Sequence, residues 1–418
     1  MLSKYPLSYS SNFDDFLFCN PLLKLPFKKK DILFITPQKF SFTTKKKTMQ
    51  TIFQQKSNRI FTNTGLFLLT VLLTLQACQK NPHLAPSEKN FQQVNLVANN
   101  NSYGAAAVDA NLVNAWGIAF APSGPAWVSS NGAGLSTIYN AAGATLRPPV
   151  TIPSNSSLTG GTPTGQVFNG STGFKLPNGN PARFIFSGED GVISGWNGGS
   201  AAVVAKNNMD AVYKGITIAR NGGFPYLYVA NFKGRKVEVY DSLWKAVNFP
   251  FMDWNLPADY SPFNVQSIGD KVFVVYAKLG SGHDEASGPG TGIIDIYNPD
   301  GTLVRRFISH GELNAPWGIT ATPASFLRTA TNMSVFLVGN FGNGRINSYD
   351  QNGLFLGPLR HKGKPIVIDG LWALSFAPAT ATTVNPNWLF FAAGPNGEAD
   401  GLFGYITPEE SEKMKVAN

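Results

Sequence analysis

The sequence predicts an all-β protein, a six-bladed β-propeller of four-stranded antiparallel blades, on three observations. Apolar residues come in short runs rich in aromatic and β-branched side chains, which favour pleated strands over helices. Glycine is abundant, with 42 of 418 residues, and only 14% are charged. One strand grammar recurs six times at about fifty-residue spacing, the signature of a radially repeated fold.

Each unit opens with an apolar strand: Trp116-Gly117-Ile118-Ala119-Phe120, Gly165-Gln166-Val167-Phe168, Gly215-Ile216-Thr217-Ile218, Asn264-Val265-Gln266-Ser267-Ile268, Trp317-Gly318-Ile319-Thr320 and Leu371-Trp372-Ala373-Leu374-Ser375-Phe376. A second strand follows, as in Tyr226-Leu227-Tyr228-Val229-Ala230 or Val335-Phe336-Leu337-Val338-Gly339. After a Gly/Asn turn a third strand ends in an aromatic residue, for example Val237-Glu238-Val239-Tyr240 and Ile294-Asp295-Ile296-Tyr297. A more variable fourth strand, such as Leu303-Val304-Arg305-Arg306-Phe307, completes the unit. Four antiparallel strands joined by such turns make one blade. The last unit has three clear strands, and a lone strand-like segment from Phe91 to Val97 precedes the first. The two termini are therefore expected to pair, which fastens the ring and hides an edge strand.

The N-terminus carries an export signal. Residues 1–78 contain 11 Lys/Arg and 3 Asp/Glu, which leaves 23 of the 34 basic and 22 of the 25 acidic residues for the rest. The body is thus near neutral and lacks the basic footprint of a nucleic-acid binder. The basic prefix leads through Lys56 and Arg59 into an apolar run from Gly65 to Leu75, ending in Leu75-Gln76-Ala77-Cys78. Positive region, short apolar stretch and small residues are the parts a signal peptidase reads, and the run is too short to span a bilayer. Leu-x-Ala-Cys resembles the lipobox of bacterial lipoproteins, which implies lipidation at Cys78.

Residues 1–48 read as an over-extended start or atypical leader, 49–78 as a lipoprotein signal peptide, 79–90 as a tether and 91–418 as the propeller. Gln79 after Cys78 is not acidic, which favours the outer membrane of a cell envelope. The other cysteine, Cys19, lies in the leader, so the body has no disulfide and relies on its core.

The turns Asn231-Phe232-Lys233-Gly234-Arg235 and Asn340-Phe341-Gly342-Asn343-Gly344-Arg345 resemble NHL-type repeats. The span from Asn111 to Thr407 is similar to an uncharacterised family of exported bacterial propellers. The resemblance runs through Leu313-Asn314-Ala315-Pro316-Trp317-Gly318, Asp369-Gly370-Leu371-Trp372-Ala373-Leu374 and Ala393-Gly394-Pro395-Asn396-Gly397-Glu398. More distantly the architecture resembles six-bladed lactonases of the gluconolactonase and regucalcin type. That resemblance implies a divalent cation, Ca²⁺ or another, held in the central channel by Glu, Asn and Asp.

In a propeller the loops entering the first strands and those between second and third strands emerge on one face around the channel. The first set supplies Asn114, Trp116, Thr164, Lys214, Asn264, Asn314, Trp317, Asp369 and Trp372. The second supplies Asn131, Glu189, Asp190, Asn231, Asn340, Glu398 and Asp400. The longest loop, Lys278 to Gly292, carries His283, Asp284 and Glu285 on a glycine-rich arm that either folds over the channel as a lid or cation site or stays a solvated surface loop. Asn114, Asn264, Asn314 and Asp369 stand near equivalent strand starts, either converging on one hard cation or capping their own turns. Trp116, Trp317 and Trp372 either offer stacking surfaces at the mouth or pack between blades.

The remaining histidines, His83, His310 and His361, lack metal-ligand spacing, and there is no Gly-x-Ser-x-Gly elbow, phosphate loop or dinucleotide fingerprint. Ligand-binding candidates are accordingly Trp116, Lys214, His283, Asp284, Trp317, Trp372 and Glu398. The expected function is a lipid-anchored binding module for a glycan, peptide or protein. Its alternative is a metal-dependent lactonase-like hydrolase.

Overall fold

The computed structural model describes residues 90–282, 284–327 and 334–409. They form six sheets arranged as a β-propeller of four-stranded antiparallel blades, one of them extended by a parallel fifth strand, with one further two-stranded ribbon at Arg360–His361 and Lys364–Pro365. Blade 1 is Ala115–Phe120, Ala126–Ser130, Leu135–Tyr139 and Val150–Thr151. Blade 2 is Pro163–Phe168, Phe184–Gly188, Val192–Trp196 and Val203–Asn207. Blade 3 is Tyr213–Asn221, Phe224–Asn231, Lys236–Asp241 and Ala246–Val247. Blade 4 is Tyr260–Ile268, Lys271–Lys278, Gly292–Tyr297 and Leu303–Ser309, and blade 5 is Pro316–Ala321, Val335–Asn340, Ile346–Asp350 and Phe355–Pro358.

Blade 6 closes the ring as the sequence predicts. Its chain-terminal strands Leu371–Phe376, Leu389–Ala393 and Leu402–Pro408 take Phe91–Ala98 as their fourth strand, and Ala107–Val108 adds a short fifth. The closing pair is antiparallel from Phe91 opposite Pro408 to Ala98 opposite Leu402. The leader, signal-peptide and lipidation assignments, Cys78 included, lie outside the described residues, as does His283.

The innermost strands share a device that strand periodicity does not announce. All six carry a register shift near their start, among them Ala115/Ile118, Pro163/Gln166 and Pro316/Ile319. Such bulges bend a strand and raise its twist, here where blades converge on the axis. Glycine makes the convergence possible. A Cβ on Gly117 would lie 2.5 Å from the Thr164 carbonyl oxygen, and one on Gly318 would lie 2.7 Å from the Trp372 carbonyl oxygen. Neighbouring inner strands therefore meet backbone to backbone.

Candidate functional site

Three indoles from different blades block the channel. Trp116 and Trp372 stack with centroids 3.6 Å apart, Phe341 covers Trp372 at 4.0 Å, and Trp317 stands edge-on to both indoles at 6.3 Å. All three tryptophans are buried. Of the two readings open for them, stacking surface or packing, burial favours packing at the mouth: Trp116 and Trp372 spend faces on each other, and Trp317 is edge-on to both and 5% exposed. The Trp317 Nε1–H donates to the Lys214 carbonyl at 2.9 Å and the Trp372 Nε1–H to Asn114 Oδ1 at 3.0 Å. Trp116 Nε1 is buried with no partner among the described residues.

On this aromatic plug sits a charged cluster made by the two loop sets. The Lys214 side chain is only 4% exposed; its ammonium lies 5.2 Å from the Trp116 ring centroid and 2.7 Å from Glu189 Oε1. Asp284 and Glu285 carboxylate oxygens lie 3.7 and 3.9 Å away. The other Glu189 oxygen accepts from Asn131 Nδ2 at 3.0 Å. Asn114 Nδ2 donates to Asn131 Oδ1 at 3.4 Å and to Glu398 Oε2 at 2.6 Å. Contacts thus run in a closed circuit from Trp372 through Asn114, Asn131, Glu189 and Lys214 to Trp116 and back, crossing blades 6, 1, 2 and 3.

Backbone strain marks the same place. Asn114 has φ 47° and Glu398 φ 69°, left-handed values that non-glycine residues rarely adopt. The Lys278–Gly292 arm folds inward. Leu279 bridges Glu285, Ala286 N–H donates to the Lys278 carbonyl at 2.8 Å, and Gly288 N–H donates to Asn314 Oδ1 at 2.7 Å. The result buries Glu285 and leaves Asp284 exposed at 78%.

Four carboxyl groups therefore share one ammonium. Burial pushes the Glu285 carboxyl up to about 7; Lys214 pulls it down, while Glu398 and Asp284 add to the rise. Glu285 Oε2 has no hydrogen-bond partner among the described residues. Glu398 is also raised, by burial first and by Glu189 and Asp284, against the Asn114 hydrogen bond. Burial alone would lower Lys214, yet Glu189 and Glu285 outweigh it and hold the ammonium above its usual range. Glu189 at 2.7 Å is the short ion-pair partner of Lys214, and Glu285 lies farther off at 3.9 Å.

The residues assigned to a divalent cation are each engaged by an internal donor. Asn114 Oδ1 accepts from Trp372, Asn264 Oδ1 from the Val265 N–H at 2.8 Å, and Asn314 Oδ1 from Gly288. Asp369 is exposed and accepts from the Asn396 N–H at 2.9 Å. Each of these oxygens accepts from an internal donor, and the cation the described residues place in the channel is Lys214. Among the described residues no three His, Cys, Asp or Glu side chains group to hold a metal ion.

Of the ligand-binding candidates, the structure joins Trp116, Lys214, Asp284, Trp317, Trp372 and Glu398. Glu189, Glu285 and Asn131 complete the cluster. A second acidic group, invisible to sequence reading, lies on blade 4. Buried Asp295 accepts from Arg306 Nε at 3.2 Å, and Arg306 also pairs with Asp253. Burial raises Asp295 to about 7, against the pull of Arg306 and with Asp253 adding to it.

Fold and site together define a six-bladed β-propeller with a plugged channel and a carboxylate-rich mouth. No family model matches the chain. It belongs to the same family as two uncharacterised proteins of Acanthamoeba polyphaga mimivirus. Each is 32% identical over 336 residues, 76% of this chain, and the chain covers 80% of the first and 86% of the second. These relatives are viral, whereas the sequence resemblance pointed to bacteria. Among solved structures, virginiamycin B lyase from Staphylococcus aureus is similar with a TM-score of 0.46 at 14% identity, over 76% of this chain and 99% of that one. A gluconolactonase from Xanthomonas campestris has a TM-score of 0.42 at 12% identity, over 72% of this chain and 87% of that one.

Proposed function

We propose that this protein is an exported, lipid-anchored binding module whose recognition surface is the channel mouth, and that its partner presents an ammonium or guanidinium group, as a basic peptide segment does. The observation that carries this reading is the imbalance at the mouth: Glu189, Glu285, Glu398 and Asp284 face a single ammonium, Lys214. Unpaired buried charge is costly, and the site responds by raising the Glu285 carboxyl to about 7 and by raising Glu398 as well. A ligand cation relieves it without a proton, and a charge-assisted hydrogen bond of this kind contributes about 1.5–3 kcal/mol.

The test is calorimetric titration of the full chain in detergent with agmatine, Nα-acetyl-arginine amide and Nα-acetyl-glutamate amide. Agmatine and the arginine amide are expected to bind, the glutamate amide to fail, and Glu398→Gln to weaken binding about tenfold. Equal binding of the acidic and basic amides would refute the assignment. Anchoring has its own test: Cys78→Ser should release the chain from the membrane fraction, and retention there would overturn it.

A second reading, metal-free hydrolysis of a lactone or ester, has one observation in its favour. The Glu285 carboxyl at about 7 is matched to general acid–base work near neutral pH. Turnover of simple lactones that falls at least a hundredfold in Glu285→Gln would establish it, and no turnover would remove it.

A further inference from the structure

Below the aromatic plug the channel changes character. The inner strands enter at the mouth, and their later halves surround a cavity of about 260 Å³ to which all six blades contribute. Trp317 forms part of its wall, and the strand-end residues Phe120, Phe168 and Phe376 also line it, at the end away from the mouth. No charged side chain lines it. Its walls mix apolar side chains with polar groups, all of them uncharged.

Those polar groups differ in whether they are free. Gln166 is spent: its amide donates to the Gly117 carbonyl at 2.9 Å and accepts from Ser136 at 2.9 Å. Asn264 is spent on Trp317 and Val265. Thr217 accepts from the Ser267 N–H at 3.1 Å, and its own hydroxyl proton has no acceptor among the described residues. The Gln266 carboxamide, half-buried at the cavity wall, makes no hydrogen bond among the described residues. An amide and a hydroxyl are thus left aimed at a space otherwise walled by side chains such as Ile216 and Leu374.

We infer that this lower half of the channel is a second binding site, separate from the mouth, for a compact uncharged molecule with an apolar body and one hydrogen-bonding head, such as an alcohol, phenol or amide. The absence of any charged lining group selects against ions, because a charge taken from water into such a space has no partner. The volume lies just below the roughly 300–1,000 Å³ of pockets for drug-sized ligands, so the molecule is smaller than those. Gln266 and Thr217 supply orientation, and side chains such as Ile216, Leu374 and Phe376 supply apolar contact.

The experiment uses the full chain and three probes of similar shape: benzyl alcohol, benzoate and benzylamine. Ligand-observed NMR and melting curves should show saturable binding and stabilisation by benzyl alcohol, with benzoate and benzylamine at least tenfold weaker. Ser375→Phe, which fills the cavity, should abolish the effect. Gln266→Leu, which keeps the volume and removes the free amide, should weaken it about tenfold and serves if the filled variant does not fold. Glu398→Gln, at the mouth, should leave it unchanged, which separates this site from the cation site. No binding of benzyl alcohol, binding indifferent to Gln266→Leu, or equal binding of the charged probes would overturn the inference.

Discussion

The two halves of the channel, divided by three indoles, solve opposite problems with the same inner strands. Above the plug, loop residues bring four carboxyl groups and one ammonium together and strain the backbone at Asn114 and Glu398 to do so. Below it, strand residues keep every lining group neutral. The carboxylates of the mouth thus come from loops, where left-handed residues such as Glu398 can aim a side chain, while Lys214 enters from the start of a strand. The plug keeps the two apart by excluding water from the axis.

If the plug supports both halves, its loss should be the most damaging change. Trp372→Ala removes the central ring of the stack and the donor to Asn114, and should cost about 4–5 kcal/mol in denaturant unfolding, near the top of the range for buried tryptophan. A loss below about 1 kcal/mol would mean that the plug is not structural.

The mouth depends next on its internal cation. Lys214→Met keeps the stem but leaves Glu189 and Glu285 without their partner, and removing one side of a buried pair costs about 3–4 kcal/mol. The cost should shrink as pH falls below about 7, where the Glu285 carboxyl takes up a proton.

A smaller effect separates the charged regions by pH. Glu285 and Asp295 both hold protons up to about 7 in the fold and release them at ordinary carboxylate values when unfolded. A raised carboxyl contributes stability that is full below its unfolded value and is lost as pH rises through about 7. Stability should therefore decline between about pH 4 and 7, and Asp295→Asn should flatten that decline by about 3 kcal/mol. A profile unchanged in the variant would show that Asp295 ionises normally. Glu238, fully hydrogen-bonded and lowered, works in the opposite direction at lower pH.

The smallest expected effect concerns the residue once assigned to metal. Asp369→Ala loses one exposed hydrogen bond and should change stability by less than about 1 kcal/mol, and EDTA or added Ca²⁺ should leave the melting curve where it was. A Ca²⁺-dependent rise in melting temperature would restore the metal site.

The ring was legible in the sequence because each blade repeats the same aromatic-ended third strand, and because Phe91 to Val97 had no partner within its own unit. The meeting of the two loop sets followed from that connectivity alone. What stayed hidden was the chemistry inside the mouth. An Asn at a strand start can ligate, cap a turn or hold an indole, and residue type does not separate these; Asn114 holds Trp372. Tryptophans at matching blade positions read equally as surface or plug until their mutual distances are known. The partners of Lys214 come from three other blades. Asp253, Asp295 and Arg306 meet through a linker and the most variable strand, so no spacing betrays them.

The most direct test is to follow the Glu285 carboxyl by side-chain ¹³C NMR in the full chain as pH is varied, with and without saturating agmatine. A carboxyl surplus that binds cations gives a midpoint near 7 in the free protein and a clear fall toward the ordinary carboxylate range with agmatine. A midpoint that agmatine does not move would show that no cation binds beside Glu285, and would contradict the assignment of the mouth as a cation-recognition site.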